Sequence, residues 1–255
     1  MNINVIKAGG AVVEDEVLLA ALLDRFVQTS GAKVLVHGGG RTATALAAQL
    51  GIETRMAEGR RITDSDMLRV VTMVYGGLVS KTIAAALQAR GINAVGLTGA
   101  DMDIIRAAKR PVRNGIDYGY AGDVTRVNAD RLLQLLKEGI TPVVAPLTHD
   151  GQGHLLNTNA DTIASETAKA LAQAGCEVTL TYCFEKAGVL ADADDERSVV
   201  PLLTPALYER LRADGSVSGG MLPKLDNAFA ALRAGVKRVV ITNATADATG
   251  TVLQL

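Results

Sequence analysis

The chain has 255 residues, and its 26 Lys+Arg against 27 Asp+Glu leave a formal net charge of −1, which excludes nucleic-acid binding through bulk positive charge. With 48% apolar and 21% charged residues it can bury a large core, so a disordered chain is excluded as well. Aromatic side chains make up 3% and Trp is absent, which argues against stacking platforms for bases or sugars.

In chain order, strand-like runs are expected at Asn4 to Lys7, Lys33 to His37, Ala94 to Leu97, Thr141 to Ala145, Glu177 to Tyr182 and Arg238 to Thr242. Between and after them, apolar residues at three- and four-residue spacing predict helices over Glu16 to Gln28, Thr42 to Gln49, Asp64 to Arg90, Ala129 to Glu138, Ala160 to Gln173, Thr204 to Ala213 and Met221 to Ala234. Such alternation predicts an α/β fold with a mostly parallel sheet covered on both faces. The segment Arg106 to Val127, rich in Gly, Pro, Arg and Tyr, reads as a hairpin. A division into residues 1–173 and 174–255 is expected where the helix ends at Gly175. The apolar runs are strand-sized or helical in period, none reads as a membrane span, and no basic-then-apolar leader precedes the first strand. A soluble, cytoplasmic protein with no membrane or nucleic-acid partner is the expectation.

Two cysteines, Cys176 and Cys183, are too few for a disulfide framework and read as buried thiols. His37, His149 and His154 are scattered, and no zinc or acyl-enzyme motif accompanies them, so no protein-held metal is expected. Three glycine clusters draw more attention: Gly9 and Gly10 after the first strand, Gly38 to Gly40 after the second, and Gly219 and Gly220 before the last long helix. Each is a tight turn or a set of bared amides for an anion, and three together favour anion binding. Lys7 and Lys224 stand beside the first and last clusters. A cation at the start of a helix opposes the macrodipole, and makes sense where a multiply charged anion lies between them. The run Leu156-Asn157-Thr158-Asn159-Ala160-Asp161 either caps the following helix or holds a carboxylated substrate and orients a lysine. GGLVSKT at Gly76 to Thr82 imitates a phosphate loop, lacks its second glycine and falls inside a helical pattern, so it reads as helix.

In this order the residues resemble the amino acid kinase family. The matching stretches are VIKAGG at Val5 to Gly10, VHGGG at Val36 to Gly40, GRRIT at Gly59 to Thr63, YGYAGDV at Tyr118 to Val124, LNTNAD at Leu156 to Asp161 and GGMLPK at Gly219 to Lys224. The resemblance implies an open αβα sandwich whose first part binds an N-acylated glutamate and dimerises, and whose second part binds ATP. It further implies transfer of a phosphoryl group to the γ-carboxylate of N-acetyl-L-glutamate in arginine synthesis. N-succinyl-L-glutamate is the alternative substrate, and a catalytically dead metabolite-binding member a more distant one. Lys7, Lys224 and Asp161 fall at the family's catalytic positions; Gly39, Gly40, Arg61, Asn157 and Asn159 at its substrate positions; Gly9, Gly10, Phe184, Gly188, Gly220 and Met221 at its nucleotide positions. Mg²⁺ is expected to be held mainly by the nucleotide phosphates.

Two departures from the family pattern stand out. The nucleotide segment reads Tyr182-Cys183-Phe184-Glu185-Lys186-Ala187-Gly188 and lacks the usual acid. The chain begins almost at its first strand, without the leading helix of hexameric, arginine-inhibited members, so the resemblance implies an arginine-insensitive homodimer. Met67, Val70, Val71, Val74 and Leu78 form the apolar stripe expected to pair the two copies.

Overall fold

The first strand, Asn2–Ala8, runs in parallel between Ala32–His37 and Glu177–Phe184, and so joins the beginning of the chain to its last third. The computed structural model describes residues 1–192, 194–219, 221–245 and 250–255. Across the eight-stranded main sheet the order is Leu202–Leu203, Thr251–Leu253, Arg238–Asn243, Glu177–Phe184, Asn2–Ala8, Ala32–His37, Thr141–Val144 and Ala94–Leu97. Neighbours pair in parallel except Arg238–Asn243 with Thr251–Leu253. Because a parallel sheet is covered on both faces, its middle strands carry continuous apolar runs: Val34, Leu35 and Val36 are fully buried in succession.

Helices Ala160–Gln173 and Met221–Arg233 cover one face, packing Ile163, Ala168, Leu171, Leu225 and Phe229 on Val5, Val34, Leu180 and Ile241. On the other face, Leu22 and Phe26 of Glu16–Gln28 and Met67, Val71, Ile83 and Leu87 of a long helix pack on Ile6, Leu35 and Val143. The result is the open αβα sandwich. A four-stranded sheet, in the order Leu155–Asn157, Leu147–His149, Ile105–Lys109, Gly122–Val127, stands beside it and contains the expected hairpin, bulged between Arg106 and Ala107.

The long helix, Ser65–Gln88, begins at an Asp64 cap and contains GGLVSKT, as read from the sequence. By length and composition alone this helix could cross a membrane, with a mean hydropathy of 1.6 over its most apolar 18 residues, but Met67, Val70, Val71, Val74, Ile83 and Leu87 are buried in the protein's own core. One expectation fails here. The turns over Thr72–Val79 are π-helical, and this displaces the apolar stripe. Met67, Val70, Val71 and Val74 face the sheet and are buried within one protomer, so they are core and not the pairing surface. The wider turns carry the buried line on through Tyr75 and Val79, and leave Met73 52% and Leu78 59% exposed.

Candidate active site

Lys7 is the penultimate residue of the first strand, and its ammonium lies 2.7 Å from Asp161 Oδ1. Lys224, in the first turn of Met221–Arg233, reaches Asp161 Oδ2 at 3.3 Å. Asp161 itself opens the helix Ala160–Gln173, where the macrodipole favours a carboxylate. Asn159 caps that helix, accepting from the amides of Asp161 at 2.8 Å and Thr162 at 3.1 Å. Burial alone would raise the Asp161 pKa, but the two ammonium groups outweigh it and hold the carboxyl below the usual carboxylate range. Two cations therefore converge on one anion, leaving a net positive charge for a ligand.

The glycines divide the work. Gly9 N–H donates to Cys183 O at 2.8 Å and Gly38 N–H to Ala8 O at 3.2 Å, so both extend the sheet. Gly10 and Gly40 each begin a helix, Gly10–Glu14 and Gly40–Gln49, and Gly39 caps the second, so their amides have no intrahelical acceptor. Only glycine suits position 39: its φ is 148° and a Cβ would lie 3.1 Å from the Tyr75 ring.

Arg61 belongs to a small hairpin, Met56–Ala57 with Arg60–Arg61. Its guanidinium is fixed by donation from Nη2 to Gly40 O at 2.8 Å and Thr44 Oγ1 at 2.9 Å, and from Nη1 to Thr54 Oγ1 at 3.3 Å. It borders a cavity of about 200 Å³ together with Gly39, Gly40, Tyr75, Asn157 and Asn159. Asn157 is held there by donating to Thr63 Oγ1 at 2.9 Å. Gly38, Gly39, Gly40 and Arg61 also border the cavity that holds Lys7, Lys224, Gly9 and Gly10, so the two cavities are continuous.

Phe184 borders the lysine clamp, and a Cβ on Gly9 would lie 3.4 Å from it. Gly188 and Met221 instead share a separate pocket with Val189, Leu190, Ser216, Val217 and Ser218. Gly188 is there because a Cβ would lie 2.7 Å from Thr251 Oγ1 and 2.8 Å from Val199 Cγ1. Gly220 lies outside the described residues. The sequence reading missed Ser216 to Ser218, which sit in a loop without a recognisable spacing, and Arg60, which borders the same cavity as Arg61. In GRRIT the doubled arginine was the available signal for Arg60.

A sequence profile of the amino acid kinase family matches residues 2–243. The chain belongs to the amino acid kinase family. It is 62% identical over 245 residues to the acetylglutamate kinase of Bacteroides thetaiotaomicron, covering 96% of this chain and 95% of that one. With the acetylglutamate kinase of Methanopyrus kandleri the identity is 43% over 242 residues, 94% of each chain. Among solved structures, N-acetylglutamate synthase from Neisseria gonorrhoeae, complexed with coenzyme A and N-acetyl-glutamate, superposes with a TM-score of 0.84 at 25% identity, over 99% of this chain and 59% of that one. Carbamate kinase from Giardia lamblia, at 16% identity and a TM-score of 0.67 over 98% and 97% of the two chains, shares the fold. Within this amino acid kinase the clamp, the glycine amides, Arg61 and Asn157 border one continuous cleft, while Asn159 serves as a helix cap at its edge.

Proposed function

We propose that the chain transfers the γ-phosphoryl group of MgATP to the γ-carboxylate of N-acetyl-L-glutamate, a step of arginine biosynthesis in the cytoplasm. The observation that carries this reading is the pairing of Lys7 and Lys224 on Asp161 beside a cleft bearing a fixed arginine. Arg61 binds the substrate α-carboxylate through its planar fork, and Asn157 contacts the α-substituents. The γ-carboxylate needs no general base, because it is ionised at neutral pH. Its oxygen attacks phosphorus in line as the bond to the β-phosphate oxygen breaks, and ADP leaves. Lys7, Lys224 and the amides of Gly10, Gly39 and Gly40 neutralise the repulsion between the two anions and the charge that spreads in the transition state. Both carboxylates at the clamp are engaged, Asp161 by the lysines and Glu185 by Arg41 at 2.8 Å, so Mg²⁺ is carried by the nucleotide phosphates. The pocket of Gly188, Val217 and Met221 suits the base of the nucleotide. Residues 1–173 then form the substrate lobe and residues 174–255 the nucleotide lobe. Two copies pair through the exposed Met73 and Leu78 of the long helix.

A second acyl group has an observation in its favour. Arg60 is partly buried in the wall of the carboxylate cleft and forms no ion pair among the described residues. A succinyl group would bring it a third carboxylate. An ADP-release assay with N-acetylglutamate, N-succinylglutamate, glutamate and aspartate tests both readings. Turnover with N-acetylglutamate is the expected result; a clear preference for the succinyl compound that Arg60→Ala abolishes supports the second reading, and no turnover with any of the four removes both.

A further inference from the structure

The widened turns of the long helix pack against the glycine loop of the cleft. Thr72–Val79 are π-helical, a rare geometry that recurs at functional sites. Tyr75 and Val79, four residues apart on those turns, are both buried. A Cβ on Gly39 would stand 3.1 and 3.3 Å from Tyr75 Cδ1 and Cε1 and 3.3 Å from Val79 Cγ2, so ring and methyl fill the space that a side chain at position 39 would need. Tyr75 also borders the cavity shared by Arg61, Gly40 and Asn157.

Gly39 needs such support. At a φ of 148° it has no Cβ to limit its rotation, and its N–H has no acceptor among the described residues. Its carbonyl accepts from Ala43 N–H at 3.0 Å, and the peptide before it is held from the other side, where His37 Nδ1–H donates to Gly38 O at 2.7 Å. Because the carbonyl and N–H of a trans peptide point apart, that bond turns the Gly39 N–H away from His37. What remains is rotation about the bonds to Gly39 Cα, and the packing of Tyr75 and Val79 opposes it. The ring has a second neighbour. Burial raises the Tyr75 pKa, while the charge of Arg61 and a hydrogen bond with it oppose that rise, so the phenol hydroxyl stands at the guanidinium. Arg61 in turn donates to Gly40 O at 2.8 Å, which joins ring, glycine turn and guanidinium in one packed unit.

We propose that Tyr75 is a positioning residue for the amino-acid end of the phosphoryl transfer: its ring holds the Gly39 turn so that the amides of Gly39 and Gly40 face the cleft, and its hydroxyl orients Arg61. This role rests on the reaction proposed above. The two parts of the side chain act on different steps. Arg61 holds the α-carboxylate equally in the ground state and the transition state, so the hydroxyl contributes to substrate binding. The glycine amides meet charge that grows in the transition state, so the ring contributes to turnover. A tyrosine that served packing alone would make no such division.

Steady-state kinetics of Tyr75→Phe and Tyr75→Leu with MgATP and N-acetylglutamate tests this. Tyr75→Phe, which keeps the ring, is expected to raise the KM for N-acetylglutamate by about threefold to tenfold and to leave kcat and the KM for ATP within about twofold of the parent. Tyr75→Leu is expected in addition to lower kcat by about tenfold or more. In an Arg61→Ala background Tyr75→Phe should change kcat/KM for N-acetylglutamate by less than about twofold, because its hydroxyl acts through Arg61. Should Tyr75→Leu melt early, Tyr75→Phe and its pairing with Arg61→Ala carry the test. The inference is overturned if Tyr75→Phe has the parent's KM for N-acetylglutamate, if it raises the KM for ATP as much, if its full effect persists in Arg61→Ala, or if a folded Tyr75→Leu keeps the parent's kcat. A parent that turns over none of N-acetylglutamate, N-succinylglutamate, glutamate and aspartate removes the reaction itself and this role with it; where the parent prefers another of the four, the same measurements are made with that one.

Discussion

Lys7 and Lys224 share one carboxylate, so their charges exceed what the protein itself supplies in return. Their charge matters most as the phosphoryl group moves. Lys7→Ala and Lys224→Ala are therefore each expected to lower kcat by about a hundredfold or more, with smaller changes in KM. Steady-state kinetics checks this, and near-normal turnover in both would remove the mechanism. His37, beneath the same glycine loop, carries a pH dependence of its own. Its Nδ1–H donates to Gly38 O at 2.7 Å, while its Nε2 is buried without a partner. Burial pushes its pKa down from 6.5 to about 4, against a smaller opposing effect of the Gly38 bond. The unfolded chain then binds the extra proton first as pH falls. This contribution is complete above the unfolded value near 6.5 and declines toward pH 4, by about 3 kcal/mol in all. His37→Asn, which retains a donor for Gly38 O, is expected to flatten the loss seen between pH 7 and pH 5 in urea denaturation. Asp161 acts at lower pH: its folded pKa is depressed, so its stabilisation is present above the unfolded carboxylate value and is lost as pH falls through the folded one.

Among the elements, those with a sustained period were legible in the sequence and those without one were not. The strands Ala32–His37 and Glu177–Phe184 and the helix Ala160–Gln173 emerge from spacing alone. Leu147–His149 and Leu155–Asn157 are three residues each, too short to show alternation, so the second sheet was visible only as its hairpin. The helix over Ser65–Gln88 was legible, but not the π turns within it, which arise from packing and shift which residues reach the sheet. The clamp could be read from lysines beside glycines. The pocket around Val217 could not, because Gly188 to Leu190 and Ser216 to Ser218 lie far apart in the sequence, in segments without a periodic pattern. That placement separates two substitutions in one connecting segment. Gly188→Ala, crowded by Thr251 and Val199, is expected to raise the KM for ATP several-fold and leave that for the acyl-glutamate nearly unchanged. Phe184→Ala, at the clamp, should lower kcat without altering the preference for ATP over GTP. Steady-state kinetics with both nucleotides distinguishes them; a changed ATP-to-GTP ratio in Phe184→Ala would return that ring to the base pocket.

At the level of the whole molecule, the proposed pairing of two copies rests on the surface of the long helix. Four of the five residues in the sequence-read stripe are already used by the protomer's own core, which leaves Met73 and Leu78 exposed. The double substitution Met73→Glu with Leu78→Glu places charge on that patch and touches no buried residue. Light scattering is expected to give the mass of a dimer for the parent and of a monomer for the double variant. A monomeric parent would dismiss the pairing, and a dimeric double variant would move it to another surface.

The two halves of the chain are joined by more than a linker. Asn2–Ala8 is laddered to Ala32–His37 on one side and to Glu177–Phe184 on the other, and the strand that makes this seam also carries Lys7. A hinge that swung one half open would have to tear a seven-residue ladder at the residues that hold the clamp. Whatever closure accompanies turnover must instead be distributed as a change in pleat and twist over several strands, each peptide rotating slightly while its hydrogen bonds survive. On the proposed function, the lysine clamp therefore rides on a strand hydrogen-bonded along both sides, and opening the cleft for product release would be a torsion of the sheet about Lys7 rather than a parting of its edges.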